Sequence, residues 1–326
     1  MKNPLKKQLL GTACILCCTL GSLAHAGLVI TPTFTANFNT NFGANAAAAQ
    51  AAWNAAASVF TANFSDNIHI NITVDAVAGT SVFGQSNTSL YSTSYANLRA
   101  LAVADATTAN DNISIGAGGS VTAADPTAGA GTWWVSSSQA KAIGLIADNL
   151  SNDGTTTFGA GNAFTFSGAI TGGTYDFKDV AAHEISEVMG RLGLKGGSIG
   201  GHSPSYSLTD DFSYTAANVR GLAQGLTNFS IDNGTTLLKQ WNNSASNGLD
   251  SRDWASGFGN DAFNQFSSAG VTNPVSAVDL ELMDVIGYDL IALPEPADSG
   301  TIFATALVAV GVITQAGARK RARARA

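Results

Sequence analysis

All three cysteines of this 326-residue chain lie within its first 18 residues, so the rest must fold without disulfides or cysteine metal sites. The same segment opens with three lysines, continues with an apolar run over residues 9–23 and ends in Ala-His-Ala at 24–26. This order is typical of a secretory signal peptide. We therefore expect the Sec translocon to export the chain and signal peptidase to remove residues 1–26, leaving a thiol-free body suited to an oxidising compartment.

A second targeting pattern occupies the other end, residues 294–326. Pro-Glu-Pro at 294–296 precedes 20 uncharged residues, 299–318, and then five basic residues. Such a run just spans a bilayer, and its basic tail favours the cytoplasmic side. The layout resembles the PEP-CTERM sorting signal of Gram-negative bacteria. That resemblance implies transient anchoring in the inner membrane, cleavage by an exosortase, and a final place in the cell envelope, on the surface or outside the cell. An ordinary tail anchor is the alternative.

The body between these segments, residues 27–293, is acidic and shows neither an internal repeat nor a linker. It holds 8 basic and 21 acidic side chains, a net formal charge of −13. A body of that charge repels phosphate backbones, so we expect no nucleic-acid partner.

Hydrophobic periodicity predicts a single α+β domain for this body. Alanine-rich residues 44–63 and the later segments 94–105, 136–149 and 275–286 have the spacing of helices. Residues 67–75 alternate strictly between apolar and polar side chains, which predicts a half-buried strand. The chain is therefore expected to be helical early and rich in loops and short strands late.

The strongest chemical signal lies in a helix predicted over residues 175–191, with Asp176 as its candidate N-cap. His183 and Glu187 are one helical turn apart on the same face, about 6 Å from each other, which is a span that one Zn²⁺ ion can bridge. Glu184 is next to them, where it can act as a general base toward a water molecule. The pattern therefore predicts a zinc site with His183 and Glu187 as ligands and Glu184 as the catalytic residue.

The segment His-Glu-x-x-Glu-x-x-Gly from His183 to Gly190 resembles the active-site helix of zincin metallopeptidases, with glutamate in place of the second histidine. Together with residues 241–242, 253–254 and 275–289, it is also similar to a family of exported bacterial proteins described as metalloproteases, which often carry the same sorting tail. The resemblance implies a metzincin-like fold, a single zinc ion and a hydrolase acting on polypeptides.

The third zinc ligand is open at this point. A metzincin would place it ten residues after the first, where this chain has Gly193, which cannot ligate. We favour Asp210, because it precedes a strand-like stretch that would hold it firmly; His202, in a flexible glycine-rich loop, is the alternative. Two carboxylate ligands would cancel the zinc charge and leave a bound water less acidic, whereas His202 would keep the site positive. Residues 261–264 stand where a metzincin has its methionine turn, without the methionine.

Residues 243–253 are rich in oxygen ligands for calcium, but they lack the spacing of an EF-hand. Calcium therefore has no specific support, and we expect one zinc ion as the cofactor.

Two functions follow from this sequence. The first is an exported zinc metallopeptidase that hydrolyses peptide bonds with zinc-activated water and Glu184 as general base. The second is a non-catalytic surface or exopolysaccharide-matrix protein that retains a degenerate zincin fold, which Gly193 favours. The simplest alternative to any metal site is an exposed stripe of His183, Glu184 and Glu187, with Arg191 pairing to Glu187.

Overall fold

Short helices and short strands are interleaved along the chain. The computed structural model describes residues 27–243, 246 and 250–291. The helices are α1 Ala36–Phe42, α2 Ala46–Thr61, α3 Tyr95–Asp105, α4 Ala109–Ile115, α5 Ser137–Ala142, α6 Phe177–Val188, α7 Leu208–Asp211 and α8 Ala277–Val285. The strands are β1 Val29–Phe34, β2 His69–Val77, β3 Gly84–Thr88, β4 Leu90–Thr93, β5 Thr132–Ser136, β6 Asn152–Gly159, β7 Phe164–Thr165, β8 Tyr175–Asp176, β9 Gly197–Ile199, β10 His202–Ser207, β11 Ser213–Ala216, β12 Val219–Arg220, β13 Asn228–Phe229 and β14 Lys239–Gln240.

The sheet beside α6 has the order β1-β2-β6-β3. Strands β1, β2 and β6 are parallel, and β3 runs antiparallel to β6 at the edge. Ile70, Ile72 and Val74 on β2 are buried, because alternate side chains of a strand point to one face. Helices α1 and α2 contact this sheet, and α6 contacts α2, β3 and β6. The edge strand β3 therefore runs next to α6.

Two further sheets are built from shorter strands. One has the order β4-β5-β10-β9, and the other β12-β11-β13-β14. A two-stranded ladder of β7 and β8 leads directly into α6. The second half of the chain therefore consists mainly of loops and short strands, as the sequence predicts.

The mixed helix and strand content is compatible with the predicted α+β class, and most of the predicted elements are confirmed. The helix predicted over 44–63 is α2, the strand predicted over 67–75 is β2, and the helix predicted over 94–105 is α3, capped by Ser94. The helix predicted over 136–149 is wrong in its length, since α5 ends at Ala142. The predicted signal peptide and sorting segment lie outside the described residues. Among the helices that are described, none has the length and apolarity needed to cross a membrane.

Five aspartates meet where the last described residues return to the first half of the chain: Asp66, Asp105, Asp111, Asp284 and Asp289. The backbone N–H of Asp289 donates to Asp66 Oδ2 at 3.0 Å. No ion pair in the described part of the chain includes any of the five. Burial, reinforced by the neighbouring carboxylates, raises the pKa of Asp66 to about 7, that of Asp105 to about 8 and that of Asp284 to about 6.

These carboxyls should make the fold more stable in mild acid. A carboxyl whose pKa is higher in the folded protein than in the unfolded chain stabilises the fold at low pH and loses that contribution as pH rises through the folded value. We expect the urea midpoint of unfolding to fall between about pH 4, the unfolded aspartate value, and about pH 8, the folded value for Asp105. Asp105→Asn should flatten this slope, and Asp125→Asn, outside the cluster, is the control. Equal slopes in the wild type and Asp105→Asn would contradict the assignment.

Candidate metal centre

Helix α6 is fixed at its first turn by a cap and by aromatic packing. The Asp176 carboxylate accepts the N–H of Lys178 at 3.0 Å, as the sequence predicts for an N-cap. The Phe177 ring is buried, and its centroid lies 4.8 Å from that of Phe158 and 5.1 Å from that of Phe164. The start of the helix is thereby anchored to the sheet and to the β7–β8 ladder.

The end of α6 turns sharply back on the helix. Gly190 has φ 113°, its N–H donates to the Glu187 carbonyl, and the N–H of Arg191 donates to the Ser186 carbonyl. This pair of bonds is a Schellman motif, which favours glycine at its left-handed position. The turn brings the Arg191 side chain against the last two turns of the helix.

His183 presents one ring nitrogen to two carboxylates. Its Nδ1 lies 2.7 Å from the carbonyl oxygen of Ala262, so that nitrogen is the donor and Nε2 points the other way. Nε2 is 3.3 Å from Glu187 Oε1 and 3.3 Å from Asp253 Oδ1. One ligand atom from each of these three residues lies within 4.8 Å of the other two. The group is therefore a candidate centre for a divalent cation.

Asp253 is held in place by contacts that join distant parts of the chain. The rings of Trp241 and Trp254 stack with centroids 4.2 Å apart, and the N–H of Asn242 donates to the Asp253 carbonyl at 2.7 Å. Trp254 Nε1 donates to Asp279 Oδ1 at 2.6 Å, which ties the segment to α8. These buried contacts fix the backbone on both sides of the Asp253 carboxylate.

Asp210, the predicted third ligand, is not part of this group. Its Oδ2 accepts the N–H groups of Leu194, Lys195 and Ser207 at 3.1, 3.0 and 2.8 Å, and its Oδ1 pairs with the Arg252 guanidinium. Both Asp210 and Arg252 are fully buried. The carboxylate is therefore committed to helix capping and to a buried ion pair, and the structure places Asp253 beside His183 and Glu187 instead.

His202, the alternative third ligand, is also elsewhere. It is exposed at the start of strand β10, and its ring centroid lies 5.6 Å from that of Trp134. It does not belong to the group around His183. The glycine-rich loop was expected to bring His202 to the helix, but the His202 imidazole lies at the surface.

Gly193 shows why the third member comes from a distant segment. A Cβ added at this glycine would lie 2.2 Å from Ser251 Oγ and 2.7 Å from Arg252 Cγ. The chain that leads into Asp253 therefore passes through the space that a side chain at position 193 would need. Asp253 thus joins His183 and Glu187 from a segment that packs directly against Gly193.

Arg191 joins both carboxylates from the protein interior. Its Nη1 donates to Asp253 Oδ1 at 2.6 Å, and its Nη2 lies 3.4 Å from Glu187 Oε1. Nε donates to Ser186 Oγ at 2.8 Å, and the guanidinium carbon lies 4.5 Å from the centroid of the Phe263 ring. The predicted Arg191–Glu187 pair is confirmed, but Arg191 is 0% exposed. The pair is therefore part of the interior and not of an exposed stripe.

Glu184 faces the edge strand β3. It is 5% exposed, and a Cβ added at Gly84 would lie only 2.3 Å from its Oε1. The absence of a side chain at Gly84 thus lets the strand approach this carboxyl group. Two residues further along β3, Ser86 Oγ donates to Glu187 Oε2 at 2.7 Å. Strand β3 therefore positions both glutamates of the helix.

The charges in this group alter one another's protonation. Burial would raise the pKa of Glu187, but the hydrogen bond and charge of His183, together with Arg191, lower it to about 2. Burial and Arg191 act to lower the pKa of His183, but Asp253 and Glu187 outweigh them and raise it. Burial and the nearby charge of Glu187 raise the pKa of Glu184 well above its usual range. Without a metal ion, Glu184 therefore holds a proton more readily than an ordinary glutamate does.

One cavity of about 540 Å³ gives access to these side chains. His183, Glu184, Glu187 and Asp253 all line it. One wall is the start of β3, and another is the segment 264–267, where Phe266 is 59% exposed. Every member of the candidate centre can therefore be reached from this one cavity.

Comparisons with protein-family models, with curated proteins and with solved structures found no match to this chain. The family resemblance drawn from the sequence therefore stays a prediction. What the chain can do is indicated by the side chains around His183.

Proposed function

We propose that this protein is an exported zinc-dependent peptidase, in which His183, Glu187 and Asp253 hold one zinc ion and Glu184 is the general base. The supporting observation is that the three ligand atoms lie within 4.8 Å of one another in a cavity that Glu184 also lines. The proposal includes the metzincin-like fold. An antiparallel edge strand beside the helix and a tight turn after it are consistent with that fold.

The donor set fits zinc. One imidazole nitrogen and two carboxylate oxygens are ligand types that zinc accepts, whereas calcium prefers oxygen ligands alone. The second ring nitrogen of His183 donates to a backbone carbonyl, as is usual for a metal-bound histidine. Ser86 and Arg191 hold the carboxylates in the same way. Within the described residues, no other group of three such side chains converges as closely.

The chain's own residues supply the proton transfers of a hydrolysis. A bound zinc ion would polarise a carbonyl group and acidify a water molecule. Glu184, which lines the same cavity, would take a proton from that water and return it to the departing amine. The remaining hydrogen bonds keep His183, Glu187 and Asp253 fixed during this exchange.

The edge strand favours an extended polypeptide as substrate. Strand β3 pairs with β6 on one side only, and its residues Gln85 and Ser86 line the cavity. An extended peptide can add to such an edge through backbone hydrogen bonds. This would align a peptide bond beside Glu184. Export through the Sec translocon and release by signal peptidase and exosortase remain part of the proposal.

One observation favours the non-catalytic surface or exopolysaccharide-matrix protein as a second candidate. Arg191 pairs with both Glu187 and Asp253, so the two carboxylates already have a buried counter-charge. A structural ion-pair cluster would have the same arrangement. The two functions differ in whether a cation binds and whether peptides are cleaved.

The test uses the purified protein, a chelator and a peptide library analysed by mass spectrometry. We expect one equivalent of zinc, loss of peptide cleavage after chelation and its recovery when zinc is restored. A folded protein that binds zinc without cleaving any peptide would contradict the proposed peptidase activity. A folded protein that binds no zinc would favour the non-catalytic protein, in which these side chains form a structural ion-pair cluster.

Gly84→Ala should disable Glu184 without removing the metal. The added Cβ would lie 2.3 Å from Glu184 Oε1, so the carboxyl end must move away. A displacement of about 1 Å can cost about 10²-fold in rate, so we expect a loss of that order in kcat with unchanged zinc content. Gly172→Ala is the matched control, because no atom lies within 4 Å of its added Cβ. An unchanged kcat in Gly84→Ala would show that Glu184 does not need its present position.

A further inference from the structure

We propose that Arg191 is a built-in counter-cation of this centre, a positioning residue that fixes the Glu187 and Asp253 carboxylates and weakens their hold on a divalent cation. The inference rests on the proposed function only in requiring that the centre binds such a cation. It concerns affinity and metal-free stability, which are measured without any peptide.

The geometry shows that Arg191 and a cation would share ligand atoms. Arg191 contacts Oδ1 of Asp253 at 2.6 Å and Oε1 of Glu187 at 3.4 Å. These are the same two oxygens that lie 3.3 Å from His183 Nε2. A cation placed among the three side chains would therefore bind oxygens that already accept hydrogen bonds from a positive group.

Arg191 changes the net charge of the centre when a divalent cation is bound. A neutral imidazole and two carboxylates carry two negative charges, so a divalent cation alone would make the centre neutral. Arg191 adds one positive charge, so the occupied group has a net charge of +1. A centre with two neutral histidines and one carboxylate reaches the same value. Arg191 thus restores the positive charge that two carboxylate ligands would otherwise cancel.

The same charge must weaken cation binding. Like charges at close range repel, and the repulsion is strong where both are shielded from water. Arg191 is 0% exposed, and hydrogen bonds to Ser186 Oγ and to the Arg252 carbonyl, both at 2.8 Å, hold it in place. It cannot swing into solvent when a cation arrives. In return, its two contacts keep the carboxylates aimed at one point in the metal-free protein.

The test measures cobalt binding to the full-length protein and to Arg191→Gln and Arg191→Lys. Visible absorption reports Co²⁺ coordination, and competition with a chelator gives Kd. We expect Arg191→Gln to bind Co²⁺ at least about 10-fold more tightly, because the repulsion is gone. It should also melt at a lower temperature without metal and gain more in Tm from added Co²⁺ than the wild type does. Arg191→Lys should fall between the two, since a shorter side chain keeps the charge but lies further from both oxygens.

The outcomes separate the inference from simpler explanations. A purely structural arginine would lower Tm with and without Co²⁺ alike and leave Kd unchanged, which would overturn the inference. Weaker Co²⁺ binding in both variants would also overturn it. If Arg191→Gln folds only with Co²⁺, the cation is replacing the guanidinium, as proposed; if it never folds, Arg191→Lys decides by its Kd. No Co²⁺ binding by the wild type would overturn both proposals, whereas tighter binding in the variants without any peptide cleavage would overturn the peptidase alone.

Discussion

Glu184→Gln is expected to lower peptide hydrolysis by about 10²- to 10⁴-fold while leaving the zinc content at its wild-type level. The amide has the size of the carboxyl group, so it fits the space beside Gly84. It cannot accept a proton from water at neutral pH, however, so the proposed general base is lost. Because Glu184 is not one of the three converging ligands, metal binding should persist.

The matched control for this variant is Glu281→Gln. Glu281 lies on helix α8 and does not line the cavity, so neither zinc content nor hydrolysis should change. Steady-state kinetics and metal analysis of both variants make the comparison. If Glu184→Gln kept full activity, another group would be the base. If it lost zinc as well, Glu184 would belong to the ligand set and the assignment of roles would be wrong.

Replacing Asp253 and Asp210 in parallel should separate a ligand from a structural carboxylate. Asp253→Asn keeps an oxygen that can accept from Arg191, but it removes the charge that faces His183. Loss of an outer partner of a metal ligand already costs about 10- to 100-fold in affinity, so loss of a ligand should weaken zinc binding by more than about 100-fold.

Asp210→Asn should instead destabilise the fold. It leaves the Arg252 guanidinium without its charged partner in a fully buried position. Breaking a buried pair in this way costs about 3–5 kcal/mol. Zinc affinity of the folded fraction should stay near the wild-type value. Urea unfolding and chelator competition on both variants would show the pattern, and the reverse pattern would restore Asp210 as the ligand.

The local part of the centre was predictable from the sequence. The Asp176 cap and the one-turn spacing of His183 and Glu187 depend only on the helix that contains them. The Gly190 turn follows from the same segment. The mixed sheet was harder to predict from the sequence. Its strand β6 consists mainly of Asn, Asp, Gly and Thr and shows no apolar alternation that would indicate a central strand. Helix α5 stops near Gly144, which has φ 70° and breaks the helical pattern.

The third member of the centre was not predictable in the same way. Asp253 is 62 residues from Arg191 along the chain, and the residue after it, Trp254, stacks on the distant Trp241. No local periodicity encodes such a contact. The structural role of Asp210, in contrast, could have been predicted from the sequence. Ser207 and Asp210 have the spacing of a capping box, and Asp210 does cap helix α7.

The most direct test of the proposed centre is diffraction from crystals of the zinc-loaded protein, with anomalous data collected at the zinc absorption edge. The proposal predicts one strong peak about 2.0–2.2 Å from His183 Nε2 and from carboxylate oxygens of Glu187 and Asp253. An empty position among these three side chains, or a zinc ion bound by Asp210 or His202, would contradict the assignment.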